Sequence, residues 1–160
     1  MQQTQQRIQQ LQQRLNRIRA FHYQSTPGPL SMMGWQGEGH GQVTVEHDGE
    51  ACLFHEAGHF HPSKGQTIAL FNCFEWCFES SAVRLSHRRR GSAVYLFHLM
   101  PEGDGRWVSE TPHYCGDDVY SGVLTMTDDG LMLDWRVTGP RKDEHFHYCY
   151  TSDAGSDDDG

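Results

Sequence analysis

The sequence predicts an all-β protein, an up-and-down antiparallel barrel of about 8–10 strands preceded by an amphipathic helix. Three observations support this fold. Segments of alternating polar and apolar residues recur every 8–12 residues between about residues 34 and 151. Short connections with glycine and aspartate, typical of hairpin turns, separate these segments. No helical segment lies between them, which excludes a parallel sheet built from βαβ units.

Residues 1–24 are predicted to contain the helix, which we expect over residues 2–20. Its apolar residues recur at spacings of 3, 4 and 3 and form one stripe on a surface of glutamine and arginine: Ile8, Leu11, Leu15 and Ile18. This stripe either packs against the barrel or forms a seam between two chains in a homodimer. About two heptads are too few for an independent coiled coil, which favours packing. Pro27 and Pro29 predict a linker over residues 25–33.

The barrel is predicted over residues 34–151, and Asp48-Gly49 marks the turn of its first hairpin. We expect strands at 42–46, 51–61, 67–78, 82–89, 93–100, 106–110, 119–127, 131–137 and 144–151. On the strand 131–137, alternation directs Leu131, Leu133, Trp135 and Val137 into the lumen. Residues 152–160 form an acidic tail that we expect to be disordered.

Charge and cysteine usage limit the possible partners and the compartment. The net charge is −8, and residues 1–37 hold four arginines and no acid, so the acidic excess lies in the barrel and the C-terminal tail. An acidic barrel is unfavourable for general nucleic-acid binding. No apolar run reaches the roughly 20 residues that a membrane span needs. Five cysteines without an apparent secretory signal indicate reduced thiols, and we expect a cytoplasmic location with neither nucleic-acid nor membrane partners.

The run His55-Glu56-Ala57-Gly58-His59 matches the zinc-protease pattern HExxH, but its context is wrong. That site requires a helix, where residues i and i+4 share a face. Here the run lies between an Asp-Gly turn and Pro62, which predicts a strand with the two histidines about 13 Å apart. The pairs His59/His61 and His145/His147 each share a strand face, but no further ligands accompany them. No cofactor is therefore predicted, and a metal or a haem bound by one histidine is a weaker alternative.

Two polar segments carry the candidate chemistry. Pro112–Tyr120 combines an imidazole, a thiol, two carboxylates and a phenol, groups that general acid–base and nucleophilic catalysis use. Its aspartates alternatively cap a turn, with Tyr120 entering the core. Gly139–Asp143 supplies Arg141, which either stacks on Trp35 at a closed barrel end or binds a ligand.

These residues also resemble a mainly bacterial domain family of unknown function with a calycin-like, lipocalin-type barrel. The resemblance rests on GWQGEG (34–39), YLFHLMPEGDG (95–105), PHYCGDDVY (112–120) and WRVTGPRKD (135–143), and covers about residues 31–151. The first motif is shared with other calycin barrels, including nitrobindin-like haem binders. The family pattern maps onto His98, His113, Cys115, Asp118, Tyr120, Arg141, Lys142 and Asp143. The resemblance implies the fold and supplies no activity.

The leading hypothesis is a barrel that holds a small, partly apolar, anionic ligand in its lumen. The candidate ligand-binding residues are His98, His113, Tyr120, Arg141, Lys142 and Glu75, and Trp35 and Asp143 are assigned structural roles. One alternative is an isomerase, lyase or hydrolase that uses His113 and Asp118 as acid and base, with Cys115 as a possible nucleophile. Another is a protein-interaction module whose lumen is filled by side chains.

Overall fold

A computed structural model of the protein describes residues 2–28, 36–89, 91–109, 113–115, 117–140 and 142–152. In these residues α1 spans Gln2–Arg17 and is followed by strands. The strands are β1 Ile18–Pro27, β2 Gly37–Asp48, β3 Ala51–Pro62, β4 Ile68–Phe78, β5 Val83–Arg89, β6 Ser92–Pro101, β7 Arg106–Val108, β8 His113–Cys115, β9 Asp118–Met126, β10 Gly130–Thr138 and β11 Asp143–Ser152.

The strands form a closed, antiparallel barrel of ten strands, which confirms the predicted fold class. The ring runs from β1 to β7 in chain order, continues through β9, β10 and β11, and closes where β11 pairs with β1. Among the strands that the structure describes, β8 pairs with the beginning of β9 alone. This up-and-down connectivity is compatible with a calycin-like barrel.

The N-terminal segment differs from its prediction. The helix ends at Arg17, and residues 18–27, expected as the end of the helix and part of a linker, form β1. Phe21, Tyr23 and Ser25 of β1 are buried, whereas the residues between them are exposed. This alternation of period 2 identifies a strand whose inner face lines the lumen. Pairing β1 with both β2 and β11 removes the two free sheet edges that an open barrel would leave.

The helix closes one end of the barrel. Ile8, Leu11 and Leu15 of its apolar stripe are buried in the core of the same chain, which supports the packing interpretation over a seam between two chains. Arg7 donates hydrogen bonds to the Gly103 carbonyl and to Asp104 in the turn between β6 and β7. Arg14 donates in the same way to carbonyls in the turn between β9 and β10.

Large side chains fill the half of the lumen next to α1. Those that are almost fully buried come from strands all around the ring and include Phe54, Trp76, Phe97, Leu99, Leu124 and Leu131. The opposite end of the barrel, where β1 ends and β11 begins, has no helix across it in the part of the chain that the structure describes. We call it the open end, and it carries the candidate site.

Replacing Leu11 tests the role of the helix. Leu11 has no exposed surface, so we expect Leu11→Ala to lower the free energy of unfolding by about 2–5 kcal/mol. The exposed neighbour Gln12 is the control, and Gln12→Ala should change that free energy by less than about 0.5 kcal/mol. Urea denaturation measures both values. Equal, small effects would show that the helix does not belong to the core.

Candidate functional site

A cavity of about 640 Å³ occupies the open end of the lumen. Its walls come from strands on opposite sides of the ring, so the closure of the barrel creates it. The residues that line it are Tyr23, Ser25, Phe60, Ile68, Leu70, Arg89, Tyr120, Trp135, Val137, Lys142, Glu144 and Phe146. Most of these side chains are aromatic or aliphatic, as in pockets that bind small molecules.

Stacked aromatic rings form two walls of the cavity. On one side the ring of Trp135 stacks on Phe146, with centroids 4.5 Å apart, and Tyr120 lies parallel to it at 6.5 Å. On the other side Tyr23 stacks between Phe60, at 5.9 Å, and Tyr148, at 4.6 Å. These flat walls suit a ligand with an aromatic or other planar apolar part.

A glycine of the GWQGEG motif allows the second wall to form. Gly39 lies on β2 directly opposite Tyr23 of β1, with its backbone facing the lumen. A Cβ atom at this position would lie 2.2 Å from Cε1 of Tyr23. The absent side chain therefore leaves the space that the Tyr23 ring occupies.

Two cationic side chains line the cavity, and they differ in whether a carboxylate lies close enough to compensate their charge. Lys142 Nζ lies 3.3 Å from Asp118 Oδ2, so its charge is partly compensated. Arg89 is exposed and donates from Nε to His87 Nδ1 at 3.3 Å. Among the described residues no carboxylate forms an ion pair with Arg89. Burial and the nearby Arg89 charge lower the pKa of His87, which favours the neutral imidazole that can accept this hydrogen bond.

A buried acid lies deeper in the barrel, on the inner face of β3. Glu56 is 2% exposed, and its Oε2 accepts a hydrogen bond of 2.5 Å from the hydroxyl of Tyr150. Its Oε1 is also buried, and the cross-strand partner of Glu56 on β4 is Asn72. Burial raises the pKa of Glu56 to about 8, so the neutral carboxylic acid dominates at neutral pH. Burial, with a smaller contribution from Glu56, also raises the pKa of Tyr23 to about 12.

Sequence reasoning missed Glu56 as an inward-facing acid because the HExxH pattern drew attention to its histidines. The signal was present, since Cys52, Phe54 and Phe60 share its parity on the strand and are buried with it. The structure confirms that the run is a strand and places His55 on the outer face, 2.6 Å from Glu46. The zinc-protease arrangement therefore cannot form. Within the described residues no group of three or more histidine, cysteine, aspartate or glutamate side chains is arranged to hold a metal ion.

A second depression, of about 910 Å³, lies where β4 and β5 diverge beyond the pair Phe74 and His87. Its lining is more polar than that of the lumen cavity and includes Glu56, Asn72 and Arg88. Phe71 borders it on the outer face with 76% of its surface exposed. Glu56 of the inner face also lines this depression, and Arg89 borders both it and the lumen cavity. The more polar lining of the depression is less suited to an apolar ligand than the aromatic walls of the lumen cavity.

The predicted ligand-binding residues separate into two groups. Tyr120 and Lys142 line the cavity. Glu75 and His98 lie on the outer wall, because Phe74, Trp76, Phe97 and Leu99 on either side of them point inward. There Glu75 accepts hydrogen bonds from Arg88 and Cys77, and His98 contacts Tyr95 and Glu79. Their predicted contact with a ligand in the lumen does not fit this position.

The predicted catalytic cluster is only partly described. Strand β8 was expected as a loop, and it places the backbone of His113 opposite that of Tyr120 at the open end. The side chains of His113 and Cys115 lie outside the described part of the chain, as do Trp35 and Arg141 entirely. Asp118 forms the ion pair with Lys142, and its Oδ1 would lie 2.1 Å from a Cβ atom at Gly139.

Asp143, which is assigned a structural role from the sequence, lies at the beginning of β11 and is buried. It is 8% exposed, and its Oδ1 lies 3.6 Å from a guanidinium nitrogen of Arg136. Its carbonyl accepts a hydrogen bond of 2.6 Å from the Gly28 amide, which joins the chain after β1 to the beginning of β11. A Cβ atom at Gly28 would overlap the Asp143 carboxylate, so the two residues fit each other closely.

Comparison with known proteins identifies the family. The model of a family of unknown function, DUF6314, matches residues 10–152. The chain belongs to the DUF6314 family. The match extends through β1 and into α1, beyond the range 31–151 that the sequence motifs suggested. Searches of the curated proteins and of the solved structures gave no significant match.

The described helix of this DUF6314 protein is too short and too polar to cross a membrane. Its 16 residues contain only three aliphatic side chains, all on the face packed into the barrel.

The pH dependence of stability tests the state of Glu56. Its pKa is raised from 4.5 to about 8 in the folded chain, so between these values the folded state binds the proton more tightly than the unfolded state. Stability should therefore fall as pH rises from about 5 to 8, by up to about 1.4 kcal/mol per pH unit from this group. Glu56→Gln should remove that slope, whereas Glu50→Gln, at an exposed turn residue, should leave it. Identical slopes in all three proteins would contradict the neutral buried acid.

Proposed function

We propose that this protein binds a small, partly apolar molecule with an anionic group in the cavity at the open end of its barrel. The observation that supports the proposal best is the 640 Å³ cavity with aromatic walls and cations in its lining. Its volume lies within the range of roughly 300–1,000 Å³ that is typical of small-molecule sites. A planar aromatic or short aliphatic carboxylate, sulfonate or phosphate ester has the matching chemistry.

The charged residues of the lining are Arg89, Lys142 and Glu144, and the two cations favour an anion over a cationic ligand. Arg89 is the described cation of the lining that no described carboxylate neutralises, whereas Lys142 shares its charge with Asp118. A charge-assisted hydrogen bond to guanidinium is about twice as strong as a neutral one. Because the net charge is −8, most of the protein surface repels anions. A cation at the cavity therefore confines anion binding to that site.

The alternative functions have less support. A protein-interaction module would have a lumen filled by side chains. Side chains fill the half of the lumen next to α1, but the open end contains a cavity. An isomerase, lyase or hydrolase would need Asp118 as acid or base, yet its carboxylate is engaged by Lys142. We include neither a metal nor a haem, and no histidine is found among the described cavity residues. We place the protein in the cytoplasm, because Cys52, Cys73, Cys77 and Cys149 are free thiols. The burial of the helix stripe argues against a homodimer formed through it.

Binding of the aromatic anion 1-anilinonaphthalene-8-sulfonate, measured by calorimetry, tests the proposal. We expect one site per chain, and Arg89→Gln should weaken binding about tenfold because it removes the guanidinium at the cavity. Arg84→Gln is the matched control, since Arg84 lies on the same strand but on the outer face. Leu70→Trp, which fills the cavity, should abolish binding without loss of stability. Equal affinities in all four proteins would place the probe elsewhere and contradict the proposed function.

A further inference from the structure

Three side chains on the outer face of β10 and β11 lie in a line. Cys149 Sγ is 3.6 Å from His147 Nε2, and His147 Nδ1 is 2.5 Å from Asp134 Oδ1. This cluster lies on the opposite face of the barrel wall from the lumen cavity. None of its three side chains takes part in the proposed ligand site.

The strand pattern produces this geometry. Phe146, Tyr148 and Tyr150 point into the barrel, so His147 and Cys149 share the outer face at a spacing of i and i+2. Asp134 of β10 is the direct cross-strand partner of His147. Directly opposite residues bring their side chains within contact distance, which accounts for the short hydrogen bond.

We propose that Cys149 is a reactive thiol toward low-molecular-weight disulfides, with His147 as its general base and Asp134 as the positioning residue. A nucleophile, a base within reach and a third group that orients the base form the arrangement that activates a thiol. The three residues come from two adjacent strands of a rigid sheet, which holds their relative positions.

The hydrogen bond to Asp134 sets the tautomer of His147. With Nδ1–H donating to the carboxylate, Nε2 carries the lone pair and faces the sulfur. It can therefore accept the thiol proton, while Asp134 stabilises the imidazolium that results. His145 also approaches Asp134, with Nε2 at 3.4 Å from the same oxygen.

The groups around Cys149 keep it a thiol until the base acts. Burial, followed by the charges of Asp134 and Asp129, raises its pKa. From β1 the facing residue is its cross-strand partner His22, which is paired with Glu38 at 3.1 Å. A thiol in this surrounding is mostly protonated at neutral pH, so its reaction depends on proton transfer to His147 rather than on a standing thiolate.

The environment selects the type of reaction. Strand β11 is hydrogen-bonded along both edges, to β1 and to β10, so its backbone amides are not free to stabilise an oxyanion. Displacement at a disulfide sulfur needs no such donors. His147 takes the proton from Cys149, whose sulfur attacks one sulfur of the disulfide and breaks the S–S bond. The leaving thiolate takes the proton from His147, which yields a free thiol and a mixed disulfide on Cys149.

The other described cysteines provide internal comparisons. Cys52 is buried in the core, and burial raises its pKa to about 11. Burial, followed by the hydrogen bond that Cys77 donates to the Glu75 carboxylate, raises the pKa of Cys77. Cys73 lies opposite His55, but Nε2 of that imidazole is hydrogen-bonded to Glu46. Cys149 is thus the described cysteine with an imidazole nitrogen within contact distance of its sulfur.

The test measures the rate at which each cysteine of the full-length protein reacts with limiting dipyridyl disulfide at pH 7, with the sites mapped by mass spectrometry. We expect Cys149 to react at least about tenfold faster than Cys73 and Cys77, and His147→Gln to slow Cys149 by about tenfold or more. His145→Gln is the matched control and should leave the rate unchanged, because His145 shares Asp134 but not the contact with the sulfur. Asp134→Asn should slow Cys149 and shift its pH–rate profile.

Equal rates for Cys149 and Cys73 in the wild-type chain, or an unchanged Cys149 rate in His147→Gln, would overturn the proposal. A variant that unfolds is recognised by faster labelling of the buried Cys52. The wild-type comparison among cysteines needs no substitution, so the proposal can be rejected even if the variants are unstable.

Discussion

The architecture depends on how one chain fills the space inside ten strands. An eight-stranded barrel has an interior just wide enough for its own side chains or one small ligand, and ten strands enclose more. In this protein the apolar face of α1 and a layer of large side chains occupy one half of that space. The other half remains a cavity, because no described element crosses the open end. The helix therefore decides which end of the barrel can receive a ligand.

The alternation of side chains along the strands separates the barrel into two chemical surfaces. The inner face is aromatic and contains few polar groups, and the acid Glu56 is kept neutral there by burial. The outer face carries most of the histidines, paired with carboxylates such as Glu46 and Asp134. A shift of one residue in strand register would exchange these surfaces. Both the lumen cavity and the Cys149 cluster depend on the same register.

The barrel itself was predictable because period-2 alternation and Asp-Gly turns are local signals. The limits of α1 were not, because Ile18 continues the helical stripe while also beginning the inward face of β1. Tyr120 and Lys142, two of the predicted ligand-binding residues, line the cavity because both lie in segments that end at the open end. Glu75 and His98 lie on the outer wall, because the residues on either side of them on their strands face the core. Arg89 lines the cavity but was not among the predicted ligand-binding residues. Contacts between distant strands, such as Tyr150 with Glu56, have no local signal in the sequence.

The central claim is that the open end of the lumen, rather than the helix or the outer wall, is the binding site. Mapping of backbone amide chemical shifts by NMR during titration with an aromatic sulfonate tests it most directly. We predict saturable shifts at the ends of the strands that surround the cavity, near Tyr23, Leu70, Tyr120 and Val137, with α1 unaffected. Chemical-shift changes confined to α1, or to the histidines on the outer face of the barrel, would contradict the claim.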